Sequence, residues 1–297
     1  MWEVKLNEFH FAKFSCYRNK LLQIDCNADF GTIEAVEPDL KEIEKFAESA
    51  ENSKVRADLW GDFVGWDNRR RGENGWLFNQ LKNYSAKKVL DVAVGDGVDT
   101  IFLLKQGFEV NCNEFDSAFR EKAKENVQRE GLVIAPTVLD WRNLDEEYLP
   151  ASQDAVICMG NSLTCLEGED NQLLALGQFH RVLASGGVLL VDERNYQKIL
   201  DNREAAIAGT LDSTGKYLYT GTNRVRARFI SISDQLILIE YTHQGTARKA
   251  YYKVFPFKKG ELETLLKEAG FSQITKFSDY EEGDNPDADF YQYVCVR

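Results

Sequence analysis

The chain has 297 residues, a formal charge of −12, and 43% hydrophobic and 12% aromatic residues. This excludes global disorder and allows one large α/β domain with an insertion, or two smaller domains. The acidic balance argues against a general nucleic-acid binder, whose affinity rests on lysine and arginine neutralising phosphates.

Residues 1–58 are mixed and charged, and are expected to form an N-terminal extension or lid, with a helix opening at Pro38 on an acid-rich first turn. A second helical stretch, Trp60 to Leu81, carries large aromatics and the basic run Arg69-Arg70-Arg71. Strand candidates then follow at Val89–Val94, Phe108–Cys112, Thr137–Leu139, Ala155–Met159 and Gly187–Asp192. Helical patterns at Thr100–Gln106, Ser117–Glu130 and Asn171–Ala184 lie between most of them. Such alternation predicts a parallel sheet with helices on both faces. The pattern changes at about 203–256, where Tyr217–Tyr219, Arg224–Ser231, Gln235–Thr242 and Ala247–Phe255 predict an antiparallel β insertion with no helical segment among its strands. A helix from Lys259 to Ala269, closed by Gly270, and a final strand at Phe290–Val296 complete a domain spanning 59–297.

No run approaches the ~18 apolar residues of a membrane span, and the charged start lacks the apolar core of a signal peptide. The six cysteines form no CxxC pair, and several sit in apolar runs such as Val156-Ile157-Cys158-Met159. A reducing, cytoplasmic setting is expected. With only His10, His180 and His243 available, neither a metal site nor a histidine-based triad is expected.

The densest signal is Lys88-Val-Leu-Asp91-Val-Ala93-Val-Gly95-Asp96-Gly97-Val-Asp99-Thr100. A short apolar strand ends in an acid and a small-residue turn that hands over to a helix. Small residues let a backbone approach a ligand closely, and nucleotide-like ligands sit outside the carboxyl ends of parallel strands. Glu114 follows the next strand about twenty residues on, where an acid can accept two ribose hydroxyls. Glycine turns of this kind also occur for purely structural reasons, and a loop acid can be merely solvated. Together, turn, acid and strand order fit an adenosine cofactor. The turn departs from the full G-x-G-x-x-G of NAD sites, since Val98 and Asp99 follow Gly97.

The compact A-x-G-x-G turn resembles the S-adenosylmethionine site of class I methyltransferases, with Asp140 and Trp141 placed for the adenine. Three segments resemble glycine and glycine/sarcosine N-methyltransferases more closely: Asp91 to Thr100, Val156 to Ser162 with its Gly-Asn-Ser, and Val191 to Tyr196 with its Arg-Asn-Tyr. Upstream, Trp60 to Arg71 looks like the segment that embraces the methionine moiety in that family. The resemblance runs from about Leu59 to Phe271.

It implies a Rossmann-like α/β fold and S-adenosylmethionine as cofactor. Trp60, Arg69 and Arg71 would hold the methionine end, Ala93 and Gly95 the backbone cradle, and Glu114 and Phe115 the ribose side. Asp140 and Trp141 would flank the adenine, with Met159 and Ser162 lining the site. Asn161 and Arg194 match positions that bind an amino-acid substrate, and Tyr219 and Tyr241 match tyrosines facing the amine. Three departures surround the acceptor: Cys165 stands for a histidine, Phe255 for a tyrosine near Pro256, and the tyrosine upstream of Trp60 has no counterpart. The function implied is N-methylation of a small amine or amino acid, with a homo-oligomer left open. O- or C-methylation of another metabolite, or a non-catalytic cofactor-binding sensor, are the competing readings.

Overall fold

A computed structural model describes residues 39–214 and 224–297, together with the backbone of 2–6 and 10–14. The chain divides into two compact units, Met1–Lys45 and Phe46–Arg297. In the first, β1 (Trp2–Leu6) and β2 (His10–Phe14) pair antiparallel with Trp2 opposite Phe14. Helix α1 (Leu40–Ala47) runs across the boundary.

The second unit opens with α2 (Ala50–Val64), capped by Ser49 through Asn52 N–H, then α3 (Trp66–Glu73) and α4 (Trp76–Asn83). The boundary expected at residue 58 thus falls inside α2, a helix of the second unit. Asn52 shows how it is held. It is fully buried, and its amide donates to Tyr251 C=O at 2.9 Å and accepts Tyr251 N–H at 2.7 Å.

Alternation of strand and helix follows: β3 (Lys88–Asp91), α5 (Val98–Lys105), β4 (Glu109–Cys112), α6 (Ser117–Arg129), β5 (Gln153–Cys158), α7 (Glu169–Val182) and β6 (Leu183–Arg194). Two short helices, α8 (Tyr196–Asp201) and α9 (Arg203–Ala208), lead to β7 (Val225–Ile232), β8 (Ile237–His243) and β9 (Lys249–Val254), which form a separate antiparallel sheet. The insertion thus opens on a helix where strands alone were expected: the run Glu204-Ala-Ala-Ile-Ala208 is rich in alanine, the best helix former. The expected strand at Tyr217–Tyr219 lies outside the described residues.

Helix α10 (Glu261–Glu268) precedes β10 (Gln273–Ser278), β11 (Glu281–Glu282) and β12 (Phe290–Val296). The main sheet has seven strands in the order β11-β10-β12-β6-β5-β3-β4. β4, β3, β5 and β6 run parallel, and β12 joins β6 antiparallel. Alternate residues of β5 feed opposite cores: Val156 and Cys158 pack toward α7 and α10, while Ala155 and Ile157 pack toward α4. A strand buried on both faces must be apolar throughout, which is why this part of the chain reads so clearly.

Thr137–Leu139 does not form a ladder strand. Only one bridge, Asn113 to Thr137, is made. The fully buried Asn113 side chain takes over, accepting Leu139 N–H at 2.9 Å and donating to Leu139 C=O at 3.0 Å. Among the described residues no helix is long and apolar enough to cross a membrane.

Candidate active site

The carboxyl ends of β3, β4 and β5 open into a cavity of about 500 Å³, within the usual range for small-molecule sites. Its floor is the turn between β3 and α5. Gly95 and Gly97 have φ of 59° and 93°, left-handed values that cost a side chain strain, so the chain can bend sharply here. Asp91 braces the turn from beneath, accepting Ala93 N–H at 3.1 Å and Thr100 Oγ1–H at 2.6 Å. Burial pushes the Asp91 carboxyl up to about 7.

Glu114 stands at the cavity wall and is pre-oriented by the backbone. Its carboxylate accepts Gly95 N–H at 2.7 Å and Asp116 N–H at 2.9 Å. Each oxygen keeps a lone pair for a further donor. Burial raises Glu114 to about 7, with the two N–H donors opposing the rise. On the opposite side, Trp141 lines the cavity while its indole N–H donates to Val92 C=O at 2.6 Å, which fixes the ring plane. Asp140 is tied to Arg142 at 2.5 Å, and that contact holds its carboxyl below the usual range. Phe115 remains 68% exposed at the mouth. Met159 and Ser162 line the β5 side, with Ser162 Oγ–H donating to Met159 C=O at 2.8 Å.

Of the basic run, the structure brings Arg69 to the cavity and leaves Arg71 outside. Positions two apart on a helix point about 200° from each other. Arg69 is buried and pairs with Asp99, where burial alone would raise the carboxyl but Arg69 and Arg70 hold it low. Arg71 is exposed, donates to Asn68, and borders a different cavity beside Asn74 and Trp76. Arg71, expected at the methionine end, does not line this cavity.

Trp60 roofs the cavity at the centre of an aromatic cluster, with ring centroids 5.8 Å from Phe119, 6.0 Å from Tyr241 and 6.5 Å from Tyr252. Tyr241 is buried and lies one ring behind the cavity rather than in its wall. Burial pushes its hydroxyl up to about 12, with Arg194 and Arg56 pulling the other way. Tyr219 lies outside the described residues. Asn161 sits beneath the cavity rather than lining it. Its amide donates to Thr164 Oγ1 at 3.1 Å and Tyr196 Oη at 2.5 Å, and accepts Arg194 N–H at 3.0 Å. Arg194, at the end of β6, lays its guanidinium 4.8 Å from the Phe290 ring centroid and makes no ion pair among the described residues.

Sequence reasoning missed Arg56 and Tyr252, both in the cavity wall. The signal was present: Ser53, Arg56 and Trp60 share one helical face, and Tyr252 alternates with Tyr251 along β9. Cys165 faces Tyr252, its Sγ 2.9 Å from the phenol oxygen.

Residues 89–187 match the methyltransferase domain family. The glycine/sarcosine N-methyltransferase of Aphanothece halophytica is 33% identical over 242 residues, covering 81% of this chain and 87% of that protein. Its counterpart from Halorhodospira halochloris is 31% identical over 81% of this chain and 86% of its own length. The chain belongs to the glycine/sarcosine N-methyltransferase family. In fold, this methyltransferase is similar to an S-adenosylmethionine-dependent methyltransferase from Clostridium acetobutylicum, with a TM-score of 0.63 at 14% identity, covering 81% of this chain and 96% of that one.

The enzyme uses S-adenosylmethionine, and its cavity fits that group. The left-handed Gly95 leaves the turn open to close approach. Glu114 offers oriented acceptors to a ribose, and the acids Glu114, Asp96 and Asp116 in one wall suit a cationic sulfonium. When bound, the cofactor supplies a methyl carbon activated by sulfonium charge. The protein's part is to orient the acceptor and exclude water.

Proposed function

We propose that the methyl group passes to the nitrogen of a small amino acid of the glycine or sarcosine class. One observation carries this reading. Arg194 presents a guanidinium at the carboxyl edge of the sheet without an ion pair among the described residues, although the chain holds 48 acids. Arg194 stands outside the cavity wall, its guanidinium against the Phe290 and Phe229 rings, and a guanidinium without an ion pair can take a carboxylate through two parallel N–H donors.

Asn161 serves this site as a positioning residue. By accepting Arg194 N–H and donating to Tyr196, it fixes the backbone from which the arginine projects. Tyr241 keeps its proton at neutral pH, so it orients by hydrogen bonding and does not act as a base. A free amine must lose its proton before attack, and solvent takes it.

Turnover with methyl-labelled S-adenosylmethionine and a panel of amino acids and amines tests the reading, with the product's labelled carbon located by NMR. N-methylglycine from glycine is expected. Label on oxygen or carbon would move the reaction to another class, and cofactor binding without turnover would make the protein a sensor.

A further inference from the structure

A cation that the sequence reading did not assign stands in the wall of the cofactor cavity. Arg56 projects from α2 into the cavity, its side chain only 18% exposed. Its guanidinium carbon is held 4.8 Å from the Tyr252 ring centroid and 5.1 Å from that of Phe119. These contacts fix a planar fork in place.

The nearest carboxylate does not use it up. Asp116 lies 3.5 Å away, beyond a good charge-assisted hydrogen bond. Asp116 is already served by other donors: Ser53 Oγ–H at 2.5 Å, Ala118 N–H at 2.9 Å and Phe119 N–H at 3.2 Å. The Nε–H of Arg56 is buried and has no hydrogen-bond partner among the described residues. A buried donor left unpaired is costly unless a ligand completes it. The other cavity-wall arginines differ in their ion pairs, since Arg69 Nη2 is engaged closely by Asp99 and Arg142 Nη2 by Asp140.

We propose that Arg56 is a carboxylate-binding residue of this cavity, a second anion-recognising group beside Arg194. The proposal rests on the methyltransferase reading and deepens it. Two carboxylates could reach Arg56: that of the cofactor's methionine moiety, or the side-chain acid of a dicarboxylic amino-acid acceptor. The chemistry is the same, a planar anion on a planar fork.

The test uses the full-length protein with Arg56→Gln, which removes the charge, and Arg56→Lys, which keeps the charge and loses the fork. Thermal unfolding confirms that each variant is folded, and the lysine variant carries the test should the glutamine variant fail to fold. Calorimetry with S-adenosylhomocysteine and with methylthioadenosine, which lacks the amino-acid moiety, reads the cofactor source. Arg56→Gln should bind S-adenosylhomocysteine roughly ten- to a hundredfold more weakly and methylthioadenosine unchanged, with Arg56→Lys in between. If the acceptor is the source, S-adenosylhomocysteine affinity is intact, while KM for aspartate rises by the same factor and KM for glycine does not. Either pattern supports the proposal. Unchanged S-adenosylhomocysteine affinity together with an unchanged aspartate-to-glycine ratio overturns it. Failure of the unsubstituted protein to bind S-adenosylhomocysteine would instead overturn the methyltransferase reading, and the proposal with it.

Discussion

Asn161 and Arg194, from the ends of β5 and β6, are joined by one hydrogen bond: Asn161 Oδ1 accepts Arg194 N–H at 3.0 Å. Both were expected to touch the acceptor, yet the amide of Asn161 is spent inside the protein, on Arg194, Thr164 and Tyr196. Asn161 also adopts a left-handed φ of 62°, which asparagine tolerates better than most residues. Asn161→Ala should therefore destabilise the fold by roughly 1–3 kcal/mol through unpaired buried groups, with about 1 kcal/mol more from the backbone. In the folded fraction, KM for the acceptor should rise more than cofactor affinity falls. A loss confined to stability, with kinetics intact, would remove its positioning role.

Glu114 links the glycine turn to the start of α6 and is the residue best placed for a ribose. Glu114→Ala should weaken S-adenosylhomocysteine binding by about 1.5–3 kcal/mol, the range for hydrogen bonds to a charged group. Calorimetry showing wild-type affinity would take Glu114 out of the cofactor site.

The pH dependence follows from the same wall. Burial lifts Glu114 and Asp91 to about 7 and Asp96 to about 6. Between the ordinary carboxylate range and these values, the folded protein holds protons that the unfolded chain has lost. Stability of the cofactor-free protein should therefore fall as pH rises from about 5 to 8. The salt-bridged acids Asp99 and Asp140, shifted downward, are ionised in both states over that window and do not offset the trend. Urea unfolding across the range checks this, and a stability that climbs to pH 8 would contradict it. S-adenosylmethionine should bind more tightly as pH rises through about 7, since ionised Glu114 accepts hydroxyls and favours a sulfonium.

Tyr241 packs against Trp60 and Phe63, the latter at a centroid distance of 4.6 Å. Tyr241→Phe keeps that packing and removes only the hydroxyl. It should lower kcat by roughly tenfold, about 1.4 kcal/mol of barrier, with little change in cofactor affinity. Equal turnover would make Tyr241 a core aromatic alone.

Much of this was legible in the chain. The apolar runs of β3, β5 and β6 announced a buried parallel sheet, and the turn from Asp91 to Gly97 announced the cavity floor. Other features depended on tertiary context. No periodicity reveals that Asn113 would replace a strand at Thr137–Leu139 with side-chain bonds. β10, at Gln273–Ser278, is partly polar along its length and was not anticipated. Arg56 looked like one charge among many until α2 was packed against α6 and β9. Arg71, two positions from Arg69, turned outward because helix geometry allows only one of them to face the cavity.

The central claim is that the acceptor is an amino acid held by its carboxylate on Arg194. The most direct measurement compares glycine with methylamine, its decarboxylated counterpart, in the unsubstituted protein and in Arg194→Lys. Glycine should be preferred in kcat/KM by roughly ten- to a hundredfold. Arg194→Lys should erase most of that preference while leaving cofactor affinity nearly intact. Methylamine methylated as well as glycine, with a preference that Arg194→Lys does not alter, would contradict the account.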